Sequence, residues 1–152
     1  GHDEEGRYTE GSEAYSRNMD RLARKEETAR GLVPDPLLEA SGTSSDVGLI
    51  AFGTTHHAIV EARDVLGERG ISFDYLRVRA LPLSPAVVDF VAEHERIYVV
   101  EQNRDGQLYD LVRLALPPHL VERVRSIRHY DGRPIPAEAI TRPLLELEAI
   151  PA

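Results

Sequence analysis

The sequence predicts an α/β fold, a mostly parallel sheet with helices on both faces, preceded by an N-terminal helical arm. Three observations carry that expectation. From Val47 onward, short β-favouring runs alternate with stripes of helical period. Three such strand–helix units fall within about 70 residues, and their connections are only a few residues long. No internal repeat or low-complexity tract interrupts the rhythm.

The arm comes first. Gly1 to Gly11 is polar and rich in acid, and offers little to a core. From Ser12 to Val33 the pattern is helical, with Ser12 as the expected N-cap and Tyr15, Met19, Leu22 and Ala23 as a narrow apolar stripe. Arg21, Arg24, Lys25, Glu26 and Glu27 predict a solvated remaining face. Pro34, Asp35 and Pro36 stop the helix, and Ser41 to Asp46 reads as a linker. Residues 1–45 are therefore assigned to a connecting segment and helix, and 46–152 to the α/β domain.

In that domain Leu49 to Phe52 forms a short buried strand ending at Gly53. Thr54 or Thr55 caps a helix carrying Ala58, Ile59, Ala62, Val65 and Leu66, with Gly70 as its stop. Ser72 to Val78 forms a second strand, then Ser84 caps and Pro85 starts a helix to about His94. The third strand, Ile97 to Val100, ends abruptly in Glu101-Gln102-Asn103. After the Asp105-Gly106 loop comes a helix with Leu108, Leu111, Val112, Ala115 and Leu116 on one side, ended by Pro117-Pro118. A shorter strand near Arg125–Tyr130, a turn at Asp131-Gly132 and a last helix over Ala137–Glu148 complete the prediction.

Composition narrows the function. The chain has 152 residues, 41% hydrophobic and 29% charged, as an ordinary globular protein does. With no cysteine, thiolate catalysis, disulfides and Fe–S ligation by this chain are excluded. A net charge of -8 argues against nucleic acid as partner. No run approaches the roughly 20 apolar residues of a membrane span, and the start lacks a signal pattern, so no membrane and a cytoplasmic location are expected.

Few motifs carry chemistry. Gly53-Thr54-Thr55 follows a strand and opens a helix, where amides hold anions, but it lacks the glycine pattern or Lys-Ser/Thr pair of nucleotide loops. A helix cap is the plainer reading. Arg77 and Arg79 near the end of the second strand suit a carboxylate, or structural ion pairs. His56 and His57 are adjacent on a helix and point apart, so they do not chelate; one of them can lie at a domain contact. His2-Asp3-Glu4-Glu5 reads as a solvated acidic segment, poorly organised for a metal. Glu101, Gln102 and Asn103 offer a base beside two amides, yet no nucleophile, acid or metal cluster is placed near them. A polar network at a domain contact is the better reading. No metal site is expected.

Several stretches resemble one family. His2-Asp3-Glu4 with Gly6 and Thr9-Glu10 is similar to an H-D-E-x-G-x-x-T-E segment. The helix Asn18 to Arg30, with Arg21, Arg24 and Lys25, is similar to a connecting helix. Gly53-Thr54-Thr55, Leu76-Arg77 through Leu81-Pro82-Leu83, Val99-Val100-Glu101-Gln102-Asn103 with Gly106-Gln107-Leu108, and Tyr130-Asp131-Gly132-Arg133-Pro134-Ile135 follow in order. Together they resemble the C-terminal part of the α subunit of 2-oxoacid:ferredoxin oxidoreductases, notably the 2-oxoglutarate type, in the pyruvate:ferredoxin oxidoreductase superfamily. Pro136-Ala137-Glu138 departs from that pattern, where a Thr-Pro-Glu-Glu cap is usual, and predicts a poorer start to the last helix.

The resemblance implies a transketolase C-terminal-like domain, a three-layer α/β/α sandwich. It implies a parent enzyme that oxidatively decarboxylates a 2-oxoacid to an acyl-CoA and reduces ferredoxin, using thiamine diphosphate, Mg²⁺, Fe–S clusters and CoA held elsewhere. A pyrimidine-binding domain is expected upstream. The implied partners are the remaining domains of the α subunit and a thiamine-diphosphate-binding β subunit, with ferredoxin reached through the complex. No catalytic residue is carried over, and the chain alone is expected to be inactive. Glu101, Gln102, Asn103, Gly106 and Gln107 are the expected contact residues, with His2, Asp3 and Glu4 as second candidates. On that expectation Glu101→Ala weakens assembly more than it lowers the melting temperature. Two alternatives remain. One is a module binding CoA or a carboxylate at Gly53, Thr54, Thr55, Arg77 and Arg79; the other is the C-terminal domain of a different thiamine-diphosphate enzyme.

Overall fold

The computed structural model describes residues 1–148. Its order is α1 (Ser12–Arg30), β1 (Leu37–Glu39), β2 (Val47–Phe52), α2 (Thr55–Gly67), β3 (Asp74–Val78), α3 (Ala86–Glu93), β4 (Arg96–Glu101), α4 (Gln107–Ala115), α5 (Pro118–Val121), β5 (Val124–Arg128) and α6 (Glu138–Leu147). The strands form one sheet in the order β1-β3-β2-β4-β5. β3, β2, β4 and β5 run parallel, and β1 adds an antiparallel edge on β3 through Leu37 opposite Arg77.

Burial on both faces explains the composition of the central strands. β2 and β4 are almost continuously apolar, as strands covered by helices must be. Leu49, Ala51, Tyr75, Tyr98 and Val100 point to one face, where α2 (Ala58, Ile59, Ala62, Leu66) and α6 (Ile140, Leu144) cover them. Ile50, Leu76, Ile97 and Val99 point to the other, under α3 (Val87, Phe90, Val91), α4 (Leu108, Val112) and Leu120 of α5. The result is the three-layer α/β/α sandwich.

The fold departs from the sequence reading in local detail. β1 and α5 are additional elements. β1 is too short for a periodicity signal and exists because Leu37, Leu38 and Glu39 find the free edge of β3; segment 1–45 thus contributes a strand. Neither expected serine caps its helix with its side chain. α1 follows Gly11, and Pro85 already has helical φ and ψ, so only the Ser84 carbonyl serves, accepting from the Val87 N–H at 3.1 Å. The last helix also starts without a side-chain cap. The first residues close a small hairpin: His2 bridges Tyr8, and Gly6 makes the turn at φ 80°.

The apolar stripe of α1 stays in the open. The helix buries no residue, with Tyr15 52%, Met19 39% and Leu22 45% exposed. Its last turn reaches the domain, where the Arg30 guanidinium donates to the Leu83 carbonyl at 3.2 Å.

Candidate functional site

The sheet's parallel strands deliver their carboxyl ends to one edge, and the order places a switch between β2 and β4. The chain leaves β2 for α2 on one face and β4 for α4 on the other, so the two loops part and leave a crevice. Glu101, the last residue of β4, with Gln102 and Asn103 after it, lies at this edge.

Glu101 turns inward. It is 1% exposed, and its carboxylate accepts the N–H groups of Leu108 and Tyr109, both at 3.0 Å. These amides belong to the first turn of α4, which has no side-chain cap of its own and begins after Gly106 at φ 72°. A carboxylate placed there satisfies orphan donors and meets the positive end of the helix dipole. Glu101 is thus an internal anion for α4. Its carbonyl accepts the His129 N–H at 3.0 Å.

Gln102 joins three segments. Its amide nitrogen donates to the Thr54 and Thr55 hydroxyls, both at 3.3 Å, and its oxygen accepts the Ile135 N–H at 3.1 Å. The end of β4, the start of α2 and the turn before α6 are therefore held by one side chain. That turn is shaped by Asp131, whose carboxylate accepts the Arg133 N–H at 2.9 Å and lies 2.9 Å from the His129 ring. The Arg133 backbone bond leads the effects that keep the Asp131 carboxyl below its usual range, against a smaller opposing effect of burial; His129 and the Arg133 charge add to it. Asn103 makes a local turn, its carbonyl oxygen accepting the N–H groups of Asp105 at 2.8 Å and Gly106 at 3.1 Å. Gln107 is exposed at the first position of α4.

The anion candidates are scattered along the same edge. Gly53 has φ 61°, and its carbonyl accepts from Arg77 at 3.3 Å. Thr55 is buried, and the hydroxyls of Thr54 and Thr55 receive Gln102. Arg79 is exposed and, among the described residues, donates to the Asp35 carbonyl at 3.4 Å. The structure does not bring these five residues together around one point. On the arm, Asp3 accepts the N–H groups of Glu5 and Arg7 at 3.1 and 2.8 Å, and the His2 carbonyl accepts from Asn18 at 3.2 Å. His56 and His57 also separate: His56 stacks on Tyr75 at 5.9 Å and lies 3.9 Å from Glu39, while His57 is exposed.

Sequence reasoning did not identify Glu101 as a cap. The available signal was indirect: the helix starting at Gln107 has Gly106 where a capping Ser, Thr, Asp or Asn is usual, so its amides need an acceptor from elsewhere.

No family model matches the chain. Over 139 residues, 88% of its length, the chain is 32% identical to the α subunit of 2-oxoacid:ferredoxin oxidoreductase 2 from Aeropyrum pernix. It spans 21% of that curated relative's length. The fold is similar to that of 2-oxoglutarate:ferredoxin oxidoreductase from Magnetococcus marinus, solved with 2-oxoglutarate, coenzyme A and succinyl-CoA bound. The TM-score is 0.75 at 22% identity, over 95% of this chain and 25% of that one. A split-gene transketolase, an inactive β4 tetramer, shares the fold at TM-score 0.56 and 16% identity, over 72% of this chain and 40% of that one.

Proposed function

We infer that this chain, a homologue of one domain-sized part of the 2-oxoacid:ferredoxin oxidoreductase α subunits, acts as an assembly domain of such a subunit. The observation that carries this reading is α1. A helix with Tyr15, Met19 and Leu22 on one face leaves all three exposed, although its end is fixed to the domain through Arg30. An ordered apolar face of that kind is a surface for a neighbouring polypeptide. His2 and Glu4 on the arm and Gln102 and Gln107 on the carboxyl edge are the exposed polar contact candidates, with Asp3 and Asn103 half-buried, whereas buried Glu101 acts behind them by holding α4.

The residues of this domain do not fit the parent enzyme's cofactors. Among the described residues, no three His, Asp or Glu side chains converge to hold a metal ion. The α4 amides facing the crevice, which would suit a diphosphate, are filled by Glu101. Without cysteine the chain supplies no thiolate to an Fe–S cluster. We therefore assign thiamine diphosphate, Mg²⁺ and the Fe–S clusters to other parts of the assembly. The reaction proposed for the whole is oxidative decarboxylation of a 2-oxoacid to an acyl-CoA with reduction of ferredoxin. 2-Oxoglutarate is the first acid to assay, because the ordered motifs resemble the 2-oxoglutarate type.

The test is reconstitution with the remaining α-subunit domains and the thiamine-diphosphate-binding β subunit. The Met19→Glu/Leu22→Glu double variant should weaken assembly by about tenfold or more, while the isolated chain melts as before. A double variant that assembles with unchanged affinity overturns the role of α1. Ferredoxin reduction with 2-oxoglutarate against pyruvate then checks the substrate.

A further inference from the structure

We propose that the crevice between the carboxyl ends of β2 and β4 binds a small amphipathic carboxylate, its apolar body on Phe52, Leu81 and Leu111 and its carboxylate on Arg79. The cavity measures about 470 Å³, within the range of small-molecule sites. It lies at the topological switch point, where open parallel sheets hold ligands. Its inner wall is Val78 and Leu108, 8% and 5% exposed, whereas Phe52, Leu81 and Leu111 at the rim are 47%, 56% and 41% exposed. Three large apolar side chains left open around one concavity favour a ligand with an apolar body.

The polar groups of the lining select the rest of the ligand. The crevice holds one carboxylate, Glu101, and both of its oxygens are engaged by α4 amides. Its deep end is therefore neither an anion site nor a source of free acceptors. Asn103 spends its carbonyl oxygen on the Asp105 and Gly106 amides and is left with an amide donor. Arg79 forms no ion pair among the described residues, and its bond to the Asp35 carbonyl, at 3.4 Å, is long. A positive, donor-rich rim calls for a ligand bearing negative acceptor atoms. A single guanidinium matches a planar carboxylate in bidentate fashion. A phosphate dianion would want further charge, and the nearby Arg77 is turned to the Gly53 carbonyl.

The crevice shares Asn103 and Gln107 with the candidate contact edge, and Leu81 and Leu111 with a groove beside Glu26 and Arg30 of α1, but Met19 and Leu22 lie outside its lining. Probe binding to the isolated chain and assembly of the Met19→Glu/Leu22→Glu variant therefore fail separately. The probe is 3-phenylpropionate, with 3-phenylpropan-1-ol as its neutral counterpart, titrated into the full chain and followed by ¹H–¹⁵N correlation spectra. Saturable shifts are expected at the amides of Gly53, Asn103, Gln107 and Leu111, with the alcohol binding about tenfold more weakly. Arg79→Met should weaken the acid by about tenfold at unchanged melting temperature, and Arg142→Met, outside the crevice, should leave it unaltered. Absence of saturable shifts, equal binding of acid and alcohol, or full affinity in Arg79→Met overturns the proposal. So does failure of the probe to bind combined with loss of assembly in Leu111→Asp, which would make the crevice a protein contact.

Discussion

Glu101 shows how one buried side chain decides what an edge can do. Its carboxylate lies on the α4 amides of Leu108 and Tyr109, so its removal strands two donors inside the protein. Glu101→Gln keeps the size but offers one acceptor where two are needed, and should cost about 1–3 kcal/mol in urea unfolding. The melting temperature should fall before assembly is affected, the reverse of the order expected for Glu101 as a contact residue. Asp74, half-buried, is a second carboxylate held by backbone and ring partners. Burial works to raise its carboxyl, but the Ser41 N–H at 2.6 Å and the His94 ring at 3.2 Å hold it below the usual range. A lowered folded value means stability fully present above the unfolded value of about 4 and lost as pH falls through the folded one. Asp74→Asn should therefore be less stable than the native chain at neutral pH. The gap in denaturation midpoints should close as pH falls below about 4; a gap that stays constant contradicts the linkage. Burial likewise pushes the Tyr98 hydroxyl up to about 12, helped by Glu148, to which that hydroxyl donates.

Gly48 sits in β2 where a Cβ would come within 2.6 Å of Ile97 and 2.8 Å of Phe90. α3 packs that closely because the strand is bare there. Gly48→Ala should cost about 1–3 kcal/mol through overpacking, read from thermal unfolding. Gly106 is left-handed at φ 72°, the conformation that lets the chain leave β4 and present the α4 amides to Glu101. α1 is the opposite case. Its apolar stripe touches no core, so Met19→Glu/Leu22→Glu should alter the isolated chain's stability by no more than about 0.5 kcal/mol. Helical spacing showed the stripe plainly, but spacing does not say what covers it. β1 escaped notice because three residues carry no period; pairing with β3 made it a strand.

Across the whole molecule, one sheet serves two cores, with α2 and α6 on one side and α3, α4 and α5 on the other. Ile59→Ala in the first and Val112→Ala in the second should both destabilise, by about 2–5 and 1–3 kcal/mol. Because both layers share the same strands, each variant should unfold in a single transition with coincident near- and far-UV signals. Separate transitions would show that the layers are independent. The alternation of buried strands and helical stripes determined the α/β class, the element order and most boundaries, because period and turn chemistry are local properties written residue by residue. The ordered motifs also located the edge where β4 ends. Only the tertiary structure decided how that edge is used. It turned Glu101 onto the α4 amides seven and eight residues later, tied Gln102 to Thr54, Thr55 and Ile135, and left Arg79 at the rim of an apolar crevice. Those outcomes depend on which strand ends lie side by side, and neighbours across a sheet are set by long-range packing that no local pattern encodes.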